Sequence, residues 1–262
     1  MTHKIETVTM ALVCALCMLA GCQGHLSTQA KQLLQSSYDR YAAKDDLAVI
    51  RQTDAFLAEN AGTGRANEAY YLRGMAKKRI GDAGAKEDLQ AAASKTKNAD
   101  MRARAKVALG DMAYDEDDMA LAENMYRQAL GDIEQGQKPS DHAHYRLGCV
   151  LQRQGRWHDA DVQFDKVGYL FPDTELARKS ALRTHCVVWT IQAGAFADKS
   201  RADAVAKGLS SENLPALSHA VVRDGKLMFL VQLGRFATYE QAAAALPRAQ
   251  SRHTGAFVTP AR

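Results

Sequence analysis

The chain has 262 residues, a net charge of +4 and a pI near 8.7. Only Cys149 and Cys186 lie beyond residue 22, too few for a cysteine-built metal site, and no Gly-rich phosphate loop joins a strand to a helix. The whole positive excess falls in the last third, where nine Lys and Arg face five acids, and the rest of the chain balances.

Residues 1–21 read as a targeting segment. His3 and Lys4 precede an apolar run from Val8 to Ala20, shorter than the roughly 20 residues needed to cross a bilayer. The run ends in Leu19-Ala20-Gly21-Cys22. These residues resemble the lipobox of bacterial lipoproteins, which implies cleavage before Cys22 and lipidation of that residue. Two or three acyl chains hold a protein stably on a membrane where one does not. Gln23 in place of Asp implies, in that family, sorting to the outer membrane on its periplasmic side. Residues 22–28 would form the lipidated linker. Cys14 and Cys17 leave with the leader, and Cys149 and Cys186 are expected as two buried thiols.

Residues 29–180 predict an all-α region, rich in Ala, with Gly and Pro between periodic segments. Leu147, Gly148, Leu151, Gly155, Ala160, Phe164, Val167 and Pro172 form one repeat unit. Leu109, Gly110, Ala113, Ala122, Tyr126 and Ala129 form another, and Tyr70, Gly74, Gly81, Ala85, Leu89 and Ala92 a weaker third. This spacing resembles the tetratricopeptide repeat, a helix pair of about 34 residues. Small residues fall where the paired helices must approach closely, and large ones fill the space around them. Residues 29–60 give one more pair, read as a cap because end repeats are atypical. The resemblance implies a solenoid with a protein-binding groove, to which the register assigns Tyr71, Arg104, Tyr114, Tyr145 and Arg153. The acidic run Asp115–Asp118 lacks the spaced ligands of a calcium loop and reads as a solvated turn. His142 and His144 are two apart on a helix, so they face different sides and read as surface histidines.

Residues 185–262 contain an internal repeat. Gln192-Ala193-Gly194-Ala195-Phe196 recurs 40 residues later as Gln232-Leu233-Gly234-Arg235-Phe236. Each copy reads as strand, Gly turn and helix, giving the order β-α-β-β-α-β. Period-2 alternation turns Val187, Trp189, Ile191 and Ala193, with Leu227, Phe229, Val231 and Leu233, to one face covered by two helices. Val188, Thr190, Gln192, Met228, Leu230 and Gln232 then point to an uncovered face. Asp198 can cap the first helix, whose apolar stripe is Ala202, Val205, Ala206 and Leu209, and Thr238 with Gln241 forms a capping box for the second. Pro247 should end or kink that helix early. A second strand spans about Ala216–Arg223, its facing open, and the last spans Gly255–Thr259.

The paired Gln-x-Gly-x-Phe units resemble the SPOR domain, the sporulation-related repeat. That resemblance implies a small ferredoxin-like α+β fold, and binding of peptidoglycan glycan strands, denuded of stem peptides, on the open sheet face. It points to Thr190, Gln192, Met228, Leu230, Gln232 and Arg235 as the glycan site; Leu230 stands where the family often carries Arg. The same element order serves RNA modules that stack bases on sheet aromatics. No such aromatic pair is expected on this face, so nucleic acid is not expected.

The sequence thus predicts a multidomain, non-catalytic envelope lipoprotein without metal or cofactor. Its lipid on Cys22 would meet the membrane, its helical arm an unidentified protein or peptide, and its C-terminal domain glycan strands, at places such as the division septum. The alternative is an envelope assembly scaffold working through the repeats, with a SPOR domain that no longer binds glycan.

Overall fold

The computed structural model describes residues 26–262 apart from 211–213 and 224. The predicted leader and Cys22 lie outside the described residues. Nine helices come first among these residues: α1 Thr28–Ala42, α2 Asp46–Asn60, α3 Ala66–Ile80, α4 Ala85–Lys95, α5 Ala99–Asp115, α6 Met119–Asp132, α7 Ser140–Arg153, α8 Trp157–Leu170 and α9 Glu175–Arg183. Then follow β1 Val188–Phe196, α10 Lys199–Leu209, β2 Ala216–Arg223, β3 Lys226–Phe236, α11 Tyr239–Gln250 and β4 Phe257–Ala261. The expected fold class is present: an all-helical arm, then a small βαββαβ domain. None of the described helices is long and apolar enough to cross a membrane.

The chain packs as two units, one ending at Ala105 and one running Lys106–Arg262. In the first, Leu34, Val49, Phe56 and Leu72 form the core between antiparallel helices. Ser27 and Asp45 start α1 and α2 by accepting the amide protons of Ala30 and Ala48. Gly74 lets α3 approach α4, since a Cβ there would lie 2.8 Å from Leu89 Cγ.

The second unit repeats this device. A Cβ on Gly110 of α5 would lie 2.8 Å from the Tyr126 ring of α6, and one on Gly148 of α7 would lie 2.5 Å from the Phe164 ring of α8. Each close approach is where the repeat spacing puts it. Asp118 and Thr174 cap α6 and α8's successor α9. One reading needs correction. His144 is buried, with Nδ1 2.9 Å from Gln163 Oε1 of α8, because α7 is flanked by α6 on one side and α8 on the other; His142 stays partly exposed, as expected, and pairs with Asp111 of α5 at 3.1 Å.

The four strands form one antiparallel sheet in the order β2-β3-β1-β4. α10 and α11 cover one face, over a core of Ile191, Ala193, Val231 and Leu233 with Ala202, Ala206 and Leu209 of α10. Asp198 caps α10, and the Thr238–Gln241 capping box starts α11. Four details depart from the sequence reading. Pro247 sits inside α11, which runs on to Gln250, and its own carbonyl accepts the Ser251 amide. Val187 and Leu227 lie beyond the reach of the covering helices and are exposed. The last strand lies two residues later than expected, set by its pairing of Val188 with Ala261 and Gln192 with Phe257. Gly194 and Gly234 lie within strands rather than in turns; each has the ring of the Phe two residues on folded over it, 2.9 and 2.7 Å from where a Cβ would be.

Trp189 joins the sheet to the helices of its unit. Its ring lies 5.5 Å from that of Trp157 on α8 and 5.1 Å from that of Tyr239, edge-on to the latter. Arg153 of α7 stacks 3.7 Å over Tyr239.

Two outcomes follow from this packing. Gly148→Ala should cost about 1–3 kcal/mol in chemical denaturation, because the Phe164 ring fills the space a methyl would need. Burial lowers the His144 pKa below 6.5, although the Gln163 contact partly offsets this. The unfolded chain therefore binds more protons than the folded one just below pH 6.5, and stability falls as pH drops from about 7 through that range. His144→Gln should flatten this part of the stability–pH curve.

Candidate functional site on the open sheet face

The sheet face opposite α10 and α11 is a groove of about 870 Å³. Strand register fixes what it shows. Leu217, Gln232, Gln192 and Phe257 form one row across all four strands. His219, Leu230 and Ala195 form the next, and Val221 with Met228 the third. Among the described residues no helix covers this face; one end of the groove is closed by Leu182 and Cys186, from the end of α9 and the link to β1, and by Arg262.

All six predicted residues share this side, but not on equal terms. Gln232 is half-buried and lines the groove. Arg235 is exposed at its end and donates to the Arg262 carbonyl at 2.8 Å. Met228 is half-buried beside Val221. Leu230, only 4% exposed, forms the floor. Gln192 is 6% exposed, and Thr190, at 2%, has its hydroxyl committed to the carbonyls of Leu233 and Gly234 at 3.1 and 2.9 Å. A pair of bulges offsets the two central strands here. β3 carries an extra residue opposite Trp189–Ile191, and β1 carries one between Gln192 and Gly194. The first leaves two β3 carbonyls within reach of Thr190.

The sequence reading missed the β2 contribution. Leu217 is 70% exposed, and His219 and Val221 also line the groove. Apolar residues occur at both parities of β2, which hid its facing; the hairpin pairing of Arg223 with Lys226 supplies the missing register. Phe257, 49% exposed, was missed because the strand start was placed too early.

The groove is amphipathic, with an apolar floor and polar His219, Gln232 and Arg235. Gln and His both donate and accept hydrogen bonds, and Arg235 is a fixed cation. Such a surface suits a neutral or acidic chain of rings with C–H faces and hydroxyl edges. No metal-holding group of acidic, His and Cys side chains exists among the described residues.

Of the predicted protein-contact residues, Tyr71 and Arg104 belong to the first unit. Burial pushes the Tyr71 phenol up to about 12, and Arg104 pairs with Asp100 at 2.8 Å. Tyr114, Tyr145 and Arg153 belong to the second. Arg146 and Arg153 lie over the Tyr114 ring, and Tyr145 tilts against Phe164 with its phenol pushed up to about 12 by burial. Cys149 and Cys186 are free and buried, as expected.

This domain is therefore a βαββαβ module with one helix-covered and one open, grooved face. More particularly, residues 187–260 match the family model described as SPOR domain, and this stretch of the chain is a SPOR domain, a non-catalytic class that implies peptidoglycan binding. No curated protein matches the chain.

Thr190→Val should lower stability by about 1–2 kcal/mol through loss of the hydroxyl's two carbonyl contacts, read by denaturation. The same variant should leave ligand binding at the groove unchanged.

Proposed function

We propose that this protein is a non-catalytic envelope lipoprotein that binds peptidoglycan glycan strands, preferentially denuded ones, in the groove of its SPOR domain. The observation that carries this reading is the uncovered four-stranded face, with His219, Gln232 and Arg235 around an apolar floor. A strand stripped of stem peptides carries free lactyl carboxylates. The domain holds the chain's excess positive charge, which can steer such a strand over about 8 Å at physiological salt. Gln232, Met228, Leu230 and Arg235 keep their proposed contacts, joined by Leu217 and His219. Thr190, which lines the groove, and Gln192 share this side but are nearly buried.

Cys22 is proposed as the lipidated anchor on the periplasmic side of the outer membrane. The Lys, Tyr and Arg-bearing helical hairpins, with their regular approaches of a Gly to a large side chain, support the tetratricopeptide-like reading of residues 29–180 as a protein-interaction scaffold. A role at the division septum, where amidases strip stem peptides, joins the two halves.

Burial of Leu230, at the position where the family often carries Arg, favours the second reading, a scaffold whose SPOR domain has lost glycan binding. Co-sedimentation of the full chain with purified sacculi decides between them. Binding should rise after amidase treatment, and a Gln232→Ala/His219→Ala double variant should weaken it at least tenfold. Absence of wild-type binding to either preparation would leave the scaffold reading.

A further inference from the structure

A cavity of about 310 Å³ opens between α6, α7 and α8, within the second unit. Ser140, His144 and Leu147 stand at i, i+4 and i+7, so one stripe of α7 lines it. Gln163 and Lys166, three apart on α8, line it as well, and Leu130 comes from α6. His142 turns instead to Asp111 of α5. None of the residues assigned to the repeat groove borders this cavity, which is a separate place on the arm.

Its polar groups have unused bonding capacity. Ser140 is 1% exposed, and its Oγ is buried with no hydrogen-bond partner among the described residues. A buried hydroxyl in that condition costs stability and calls for an explanation. His144 Nδ1 lies 2.9 Å from Gln163 Oε1. An amide oxygen only accepts, so Nδ1 carries the proton of the neutral ring and Nε2 is an acceptor. Burial and the Lys166 charge lower the pKa of this ring, which favours the neutral form. Neither Nε2 nor the Gln163 NH₂ has a partner among the described residues. The charges are unequal too. Arg127 is held by Glu123 at 2.8 Å, whereas Lys166 pairs with no carboxylate among the described residues. Arg127 and Lys166 against Glu134 leave the lining with one net positive charge.

These groups describe a ligand. One net charge fits a monoanion, not a phosphate dianion. A carboxylate meets the Lys166 ammonium and the Gln163 N–H groups. The open Nε2 of a neutral imidazole needs a donor near that carboxylate, which a hydroxyl supplies, and the Ser140 hydroxyl can accept or donate beside it. Leu130 and Leu147 suit C–H groups. The volume stands at the low end of ligand sites, about 300–1,000 Å³.

We propose that the cavity between α6, α7 and α8 binds a small hydroxy carboxylate, with Lys166 and Gln163 on its carboxylate and His144 and Ser140 on its hydroxyl. This site goes beyond the glycan and scaffold readings and stands without either.

The test titrates the isotope-labelled full chain with lactate, propionate and lactamide while the amide resonances of α7 and α8 are followed. Propionate lacks the hydroxyl and lactamide lacks the charge. Lactate should bind about tenfold tighter than lactamide and severalfold tighter than propionate. Lys166→Gln should weaken lactate about tenfold with the circular dichroism unchanged. Ser140→Ala should weaken it severalfold and yet denature at no lower a midpoint than the native chain, because it removes a hydroxyl that the fold leaves unpaired. A serine with only a structural role would give the reverse, a lower midpoint with lactate binding intact, and that result would overturn the proposal. So would equal binding of the three probes, binding of none, lactate affinity untouched by both variants, or shifts confined to β2 and β3, which would put the probe in the sheet groove.

Discussion

The sheet domain depends on one local constraint used twice: a phenylalanine ring lying over the glycine two residues before it. At Gly194 and Gly234 any side chain would strike that ring, and Gly234 also takes φ +65°, a backbone state other residues adopt at a cost. These contacts sit on the two central strands. They accompany the bulges that offset β1 from β3, and the bulges decide which side chains reach the open face and which hydroxyl is consumed by backbone. The duplicated motif is therefore less a binding signature than the register-setting device on which a binding face can be built.

The helical part uses the same economy of size. Gly74, Gly110 and Gly148 each let one helix of a pair sink toward a large side chain on the other. Because interiors pack at near-crystalline density, a small residue opposite a large one fixes the approach of two helices more firmly than two medium residues would. Polar groups then fill what remains: Asp111 of α5 takes Tyr126 of α6 and both His142 and Arg146 of α7, tying three helices at one carboxylate.

Much of this was legible in the residues. The helix pairs, the β-α-β-β-α-β order, the caps at Asp198 and Thr238 and the core face of β3 from Phe229 to Leu233 all follow from periodicity and capping chemistry. The candidate site was only half legible. Periodicity told the face of Thr190 and Gln192 but not that backbone would consume the Thr190 hydroxyl, because a bulge is a property of the pair of strands and leaves no mark on either one alone. β2 was opaque because an edge strand with little covering it has no reason to alternate; Leu217, Val221 and Val222 are apolar on both sides. His144 was misjudged for a related reason: a helix sandwiched between two others has no purely solvent side, and single-helix spacing does not show the sandwich.

The packing of Trp189 between Trp157 and Tyr239 has a mechanical consequence. No slack tether separates the sheet from the helices beside it; aromatic rings and the Arg153 stack fill the joint. Tension applied to the sheet passes straight into α7 and α8, so this part of the molecule responds to a pull as a stiff lever and not as a bead on a string.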